Sequence, residues 1–301
     1  MNILLTGGTG LIGAALCRRW SADGHRLWVL SRDPAQVAAR CGAGVEGIGS
    51  LAALQEVPLD AVVNLAGAPI ADRPWTRARR RLLRDSRIAL TDDLVAWLAQ
   101  REQRPAVLIS GSAVGWYGDG GERVLDEDTP PGSDFAATLC RDWEASACRA
   151  ESLGIRVVRV RTGLVLAPRG GFLGRLLPAF RLGLGGPLGH GRQWMPWIHL
   201  DDQVGLIDFL LHSPDAAGPY NACAPGPVRN RAFVRALGRC LHRPVWLPAP
   251  APVLRLALGE LSGLLLGGQR AVPARAEAAG YAFRFTELES ALADLLCRTG
   301  A

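Results

Sequence analysis

Short runs of aliphatic and β-branched residues, NILLT, RLWVLS, DAVVNLA, PAVLISGS and IRVVRV, recur along the first half of the chain. Stretches with apolar residues at three- to four-residue spacing separate them. Runs that are apolar at nearly every position suit strands covered on both faces, and amphipathic intervals suit the helices that cover them. The alternation predicts an α/β fold, a Rossmann doubly wound parallel sheet. From Thr162 the rhythm loosens into the glycine-rich RLGLGGPLGHGRQWMPW. A helix over 202–212 capped by Asp201 and Asp202, a strand-like PYNAC and a helix capped by Asn230 are expected next. The proline-rich RPVWLPAPAPV then leads into a last helical region from Val245. This organisation predicts a nucleotide-binding Rossmann domain over 1–222, with a glycine-rich substrate loop at 170–197, and a smaller C-terminal substrate lobe over 223–301.

Composition narrows the chemistry. With 301 residues and 49% hydrophobic content, the chain is long enough to bury a large core. Its longest apolar stretch, 253–268, is broken by Gly, Glu and Arg before reaching the roughly 20 residues that cross a bilayer. The start MNILLTGG has no basic leader, so a cytoplasmic protein is expected, with no membrane partner. Seven cysteines, odd in number and without a CxxC pair, suit reduced thiols. Five histidines without HExxH spacing suggest no metal. All 34 basic side chains are arginines, giving a net charge of +6. The absence of lysine excludes a P-loop lysine, a Schiff base and any Tyr-x-x-x-Lys pair. Arg77, Arg80, Arg81 and Arg84 fall at helical spacing as a solvated basic face. With no aromatic interleaving, nucleic acid is not the expected partner.

A cofactor signal stands at the first turn. LLTGGTGLIG follows a strand and opens a helix, so Gly7, Thr9, Gly10, Leu11 and Ile12 are expected to cradle a pyrophosphate at the positive end of the helix dipole. The second strand ends at Ser31-Arg32, where an NAD-specific site would place an acid. A guanidinium there suits a 2′-phosphate, which points to NADP(H), while Asp33 keeps NAD(H) open as the lesser choice. Leu65 and Ala66, in AVVNLAG, would let the adenosine side lie against the backbone, and Arg87 is assigned to the cofactor phosphates.

GGTGLIG, VVNLAG, SGSAVGWYG, RTGLVL and WIHLDD occur in this order, and with them the chain resembles extended short-chain dehydrogenases/reductases of the epimerase/dehydratase type. LCRDWE, FRLGLGGPLGHGRQWMPWIHLDD and GGQRAVPAR resemble more narrowly the atypical epimerase-like group often labelled sugar-nucleotide-epimerase related. The resemblance sends Leu166 toward the cofactor. It also implies a proton-transferring tyrosine and, four residues on, a lysine. Counted back from the helix glutamate, Glu144, those positions hold Ala136 and Cys140; one residue earlier they hold Phe135 and Leu139.

Tyr117, its pKa lowered by cofactor or arginine, and Ser112, orienting a carbonyl, are the substitute catalytic candidates. His199 is a weaker one, expected rather to tie the strand end to the caps. Arg175, Arg181, Arg192, Gln193, Trp194 and Trp197 are candidate grips on an anionic substrate. The resulting expectation is an NADP(H)-dependent oxidoreductase or epimerase-like enzyme acting on a small, anionic molecule. A non-catalytic NADP(H)-binding sensor is the competing reading, and a homodimer stays open as its assembly.

Overall fold

The computed structural model describes residues 1–297. Seven strands, β1 (Asn2–Thr6), β2 (Arg26–Leu30), β3 (Val45–Ile48), β4 (Ala61–Asn64), β5 (Val107–Ala113), β6 (Arg156–Thr162) and β7 (Gly218–Ala222), form one sheet. They pair in the order β7-β6-β5-β4-β1-β2-β3, every pair parallel. Strand order reverses beside β1, which opens a crevice between the carboxyl ends of β1 and β4.

Helices α1 (Leu11–Ala22), α2 (Val37–Cys41), α3 (Arg77–Arg84), α4 (Leu90–Ala99), α5 (Phe135–Cys148), α6 (Gly171–Arg181), α7 (Leu200–His212) and α8 (Asn230–Cys240) follow in chain order. The two-residue period of the strands sorts their side chains between the two faces. Ile3, Leu5, Val29, Val63, Ile109 and Val158 pack with Leu16 and Trp20 of α1 and Leu206 and Leu210 of α7. Leu4, Trp28, Val62, Leu108 and Val157 pack on the other face with Leu94 and Leu98 of α4 and Ala147 of α5. Near-continuous apolar runs were therefore a sound signal of a two-sided sheet.

A separate core joins Leu166, Leu173, Phe180 and Trp197 to Phe233, Leu237, Phe285, Leu288 and Leu292. It draws residues from both sides of position 222. The stretch expected as a loop at 170–197 opens with α6 instead, because Leu173, Leu177 and Phe180 recur at helical spacing and bury on that core. The rest of it is pinned to the proline-rich junction, with Gly189 N donating to Ala249 O at 2.8 Å and Ala249 N to Pro187 O at 2.9 Å.

Two expected caps are placed differently. His199 is the N-cap of α7, its Nδ1 accepting from Asp201 N at 3.0 Å. Asp202 instead accepts from the backbone amides of Arg284 and Phe285. Asn230 does not cap α8; its Oδ1 accepts from Leu188 N at 2.9 Å and fastens the glycine-rich stretch.

Candidate nucleotide-binding site

Between β1 and α1 the chain turns through Gly7, at φ +70°, a left-handed conformation that favours glycine. A β-carbon there would lie 2.6 Å from the carbonyl carbon of Leu65. One on Gly13 would lie 2.4 Å from Gly7 O. These glycines let the loop press against the end of β4 on one side and the first turn of α1 on the other. Gly10 N donates to Gly7 O at 3.0 Å and closes the turn. No side chain caps α1 and no acid stands in its first turn. Its leading amides and its dipole thus point at the switch-point crevice without an internal anion, which is the donor set a pyrophosphate needs.

A buried hydrogen-bonded chain fixes the floor. Thr6 Oγ1 donates to Asn64 Oδ1 (2.6 Å), Asn64 Nδ2 donates to Thr91 Oγ1 (2.8 Å), and Trp143 Nε1 donates to the same hydroxyl (3.1 Å). Ala66 N donates to Thr6 Oγ1 at 3.2 Å, so the ends of β1 and β4 are held as one unit. The Leu11 side chain reaches the start of α6, where a β-carbon on Gly171 would sit 3.0 Å from it.

Two guanidiniums flank this floor. Arg87, in a π-turn over Asp85–Ala89, donates to Ala68 O (3.0 Å) and Leu83 O (3.3 Å) and lies over the Trp143 ring. Gly67 has no side chain because Arg87 Cζ would stand 2.7 Å from its β-carbon. Burial holds the Arg87 pKa below the usual arginine range. Among the described residues no carboxylate pairs with it. Arg32, exposed two residues past β2, likewise has no carboxylate partner among the described residues. The neighbouring Asp33 is occupied, accepting from Gln36 Nε2 at 2.6 Å, while Ser31 Oγ and the Asp33 backbone bond each other.

The expected catalytic hydroxyls face inward. Ser112 Oγ donates to Glu144 Oε1 at 2.7 Å, and Arg161 grips both oxygens of the same carboxylate at 2.9 and 3.1 Å. Tyr117 is 3% exposed and donates to Asn221 Oδ1 at 2.7 Å, while Arg161 Nη1 donates to the phenol oxygen at 3.1 Å. The expected arginine neighbour is present, yet burial outweighs it and pushes the Tyr117 pKa up to about 12. At the positions where the resemblance places tyrosine and lysine, Ala136 and Cys140 pack under Gly115, whose β-carbon would lie 3.4 Å from Ala136 Cβ. Burial likewise lifts the Cys140 thiol to about 12.

Gly7, Gly10, Leu11, Leu65, Ala66 and Arg87 are brought together around the crevice, with half-buried Thr9 on the loop, half-buried Ile12 in the first turn of α1, and Ser31 and Arg32 at the adjoining strand end. Leu166 is fully buried and packs in the separate core. Of the proposed substrate grips, Trp197 is buried and donates to Gly226 O, and Gln193 donates to Leu188 O and Leu265 O. Trp194 lies between Arg229 and Arg270, and Arg175 holds Ala71 O at 2.6 Å. Arg181 and Arg192 remain exposed. Sequence reasoning missed Arg161 and Asn221. Their signal was a polar residue inside an apolar strand, in VVRVRT and PYNA.

Residues 3–223 match the NAD dependent epimerase/dehydratase family. The chain belongs to that family. Residues 249–295 match a domain of unknown function, DUF1731. The chain is 42% identical over 301 residues to an epimerase family protein of Mycobacterium bovis, covering 99% of this chain and 98% of the relative. It is 39% identical over 300 residues to the chloroplastic SDR39U1 homolog of Arabidopsis thaliana, covering 97% of this chain and 86% of the relative. The crystal structure of human epimerase family protein SDR39U1 with NADPH superposes with a TM-score of 0.89 at 35% identity, covering 98% of this chain and 99% of that one.

Proposed function

We propose that this chain binds NADP(H) and acts as an oxidoreductase that reduces a carbonyl on a small, anionic substrate. The uncapped start of α1 at the switch point carries the reading, with Arg32, which has no carboxylate partner among the described residues, where a 2′-phosphate would lie. The NADPH bound to the human relative supports the choice of cofactor. Bound NADPH supplies a hydride to the carbonyl carbon. The glycine loop and Arg87 hold the phosphates, and Arg192 offers charge to an anion. With Ser112 and Tyr117 engaged internally, solvent protonates the alkoxide, leaving an alcohol. Epimerisation begins with oxidation and needs a base to remove the hydroxyl proton; a phenol with a pKa near 12 is a poor one. Reduction is therefore favoured over epimerisation. Among the described residues six cysteines are free thiols, four of them buried, which supports a cytoplasmic location.

Calorimetric titration with NADPH and NADH tests the binding. NADPH is expected to bind more tightly, and Arg32→Ala to cost about 1.5–3 kcal/mol for NADPH alone. Equal affinities would remove the 2′-phosphate assignment. Single-turnover oxidation of bound NADPH across carbonyl compounds and nucleotide sugars tests the chemistry.

The internal engagement of both hydroxyls favours a second reading, a non-catalytic NADP(H) sensor. Tight cofactor binding with no hydride transfer to any compound would select it.

A further inference from the structure

Residues 181–191 run beside residues 243–249, which lead into the helix Ala251–Leu258. Arg243 Nε donates to Arg181 O at 2.8 Å, Leu247 N to Gly185 O at 3.3 Å, and Ala249 N to Pro187 O at 2.9 Å. The two stretches leave large apolar side chains in water: Leu182 is 75% exposed, Trp246 68%, and Leu184, Leu247 and Val253 are exposed beside them. Leu256 reaches 91%, and its helix, Ala251–Leu258, buries none of its residues. Single exposed leucines are ordinary; this many on two paired stretches mark an interaction surface.

The charges on this surface have one sign. Neither 181–191 nor 242–258 contains Asp or Glu, while together they carry Arg181, His190, His242, Arg243 and Arg255. Arg235, Arg239, His242 and Arg243 also line a cavity of about 400 Å³ at the end of α8. Glu260, two residues past the second stretch, pairs with Arg80, and Glu289 pairs with Arg239 at the cavity.

We propose that this face docks on the surface of an anionic lipid bilayer, with Trp246 and the leucines entering the boundary between headgroups and acyl chains and the arginines meeting acidic headgroups. Tryptophan beside arginine is the side-chain pairing such an interface favours. No helix among the described residues is long and apolar enough to cross a membrane, so the contact is peripheral. A two-fold contact with a second copy would set this cationic patch against itself. A protein partner would need a pocket for each projecting side chain, whereas a bilayer accepts Leu256 and Leu182 without one.

Flotation of the full chain with vesicles tests the proposal. Binding is expected to vesicles of phosphatidylcholine with phosphatidylserine, to be absent with phosphatidylcholine alone, and to be released by salt. Arg243→Glu is expected to weaken it about five-fold or more, from the attraction each basic residue gains near an acidic surface. Trp246→Ser and Leu256→Ser, both in exposed positions, are expected to weaken it while NADPH affinity stays unchanged, which separates this result from the cofactor reading. Failure to float with either vesicle would overturn the proposal, as would flotation indifferent to phosphatidylserine and salt. A dimer that Leu256→Ser dissociates, with vesicles ignored, would assign the face to a second copy. Binding of acidic polypeptide with vesicles ignored would assign it to a protein.

Discussion

Glu144 and Arg161 are each 2% exposed, and the two hydrogen bonds between them hold opposite charges where little water screens them. Removing one partner strands the other, which costs about 3–5 kcal/mol; replacing both with apolar side chains of similar size costs far less. Arg161→Met alone is therefore expected to lower unfolding free energy by that amount, and the Glu144→Met, Arg161→Met double variant by clearly less than the sum of the singles. Denaturant unfolding of all four proteins is the measurement, and simple additivity would show that the pair is not coupled. Single-residue legibility in the sequence follows the range of the constraint. Gly7, Gly10 and Gly13 were readable because their requirement is local: a left-handed φ at one and close backbone approach at another. The partners of Ser112 and Tyr117 were not, because Glu144 lies 32 residues from Ser112 and Asn221 lies 104 residues from Tyr117. An arginine inside a buried strand did signal that some carboxylate had to meet it, without saying which.

At the scale of one element, α7 shows how a histidine can serve as scaffold. Its Nδ1 accepts from Asp201 N, its ring stacks on Phe285 at 3.9 Å, and its Nε2 faces Asp294 at 3.5 Å. Arg284, within reach of both Asp201 and Asp294, adds positive charge to the same surroundings. Burial, the dominant effect, holds the His199 pKa below its usual 6.5 against the pull of Asp201, Asp294 and Asp202. The folded state thus favours the neutral ring, and the unfolded chain binds the proton more readily. Stability from this group is fully present above 6.5 and is lost as pH falls through the lower folded value. Asp202, its pKa raised by burial, works the opposite way in the more acidic range. Replacing His199 with Asn, itself a good cap, is expected to flatten the stability loss just below 6.5, while Ala should cost about 1 kcal/mol more than Asn at neutral pH. Urea unfolding on both sides of 6.5 decides this; an unchanged slope in the Asn variant would place the titration elsewhere. The sequence showed a histidine and two acids before an apolar helix, and the acids were the natural cap candidates. Packing against residues 284–285 reassigned the roles.

Across the whole molecule, the division suggested by composition and the division of the apolar interior differ. One family model matches residues 3–223 and a second, of unknown function, residues 249–295. The core beneath the C-terminal region nevertheless takes Leu166, Leu173, Leu177, Phe180, Met195 and Trp197 from the first part. Trp197 ties the parts further, its indole donating to Gly226 O at 2.9 Å while its strand pairs with Leu164. Residues 223–301 alone would leave their half of this core against water, with no second apolar layer to cover Phe233, Leu237 and Leu292. The fragment is expected to lack a cooperative unfolding transition, and the intact chain to lose both cores together. Near-ultraviolet dichroism follows the tryptophans of both cores, and coincidence with far-ultraviolet loss of helix is the signature of one unit. A folded fragment with dispersed amide resonances would show that the boundary read from the sequence is a physical one, and that the shared side chains are only contacts between independent parts.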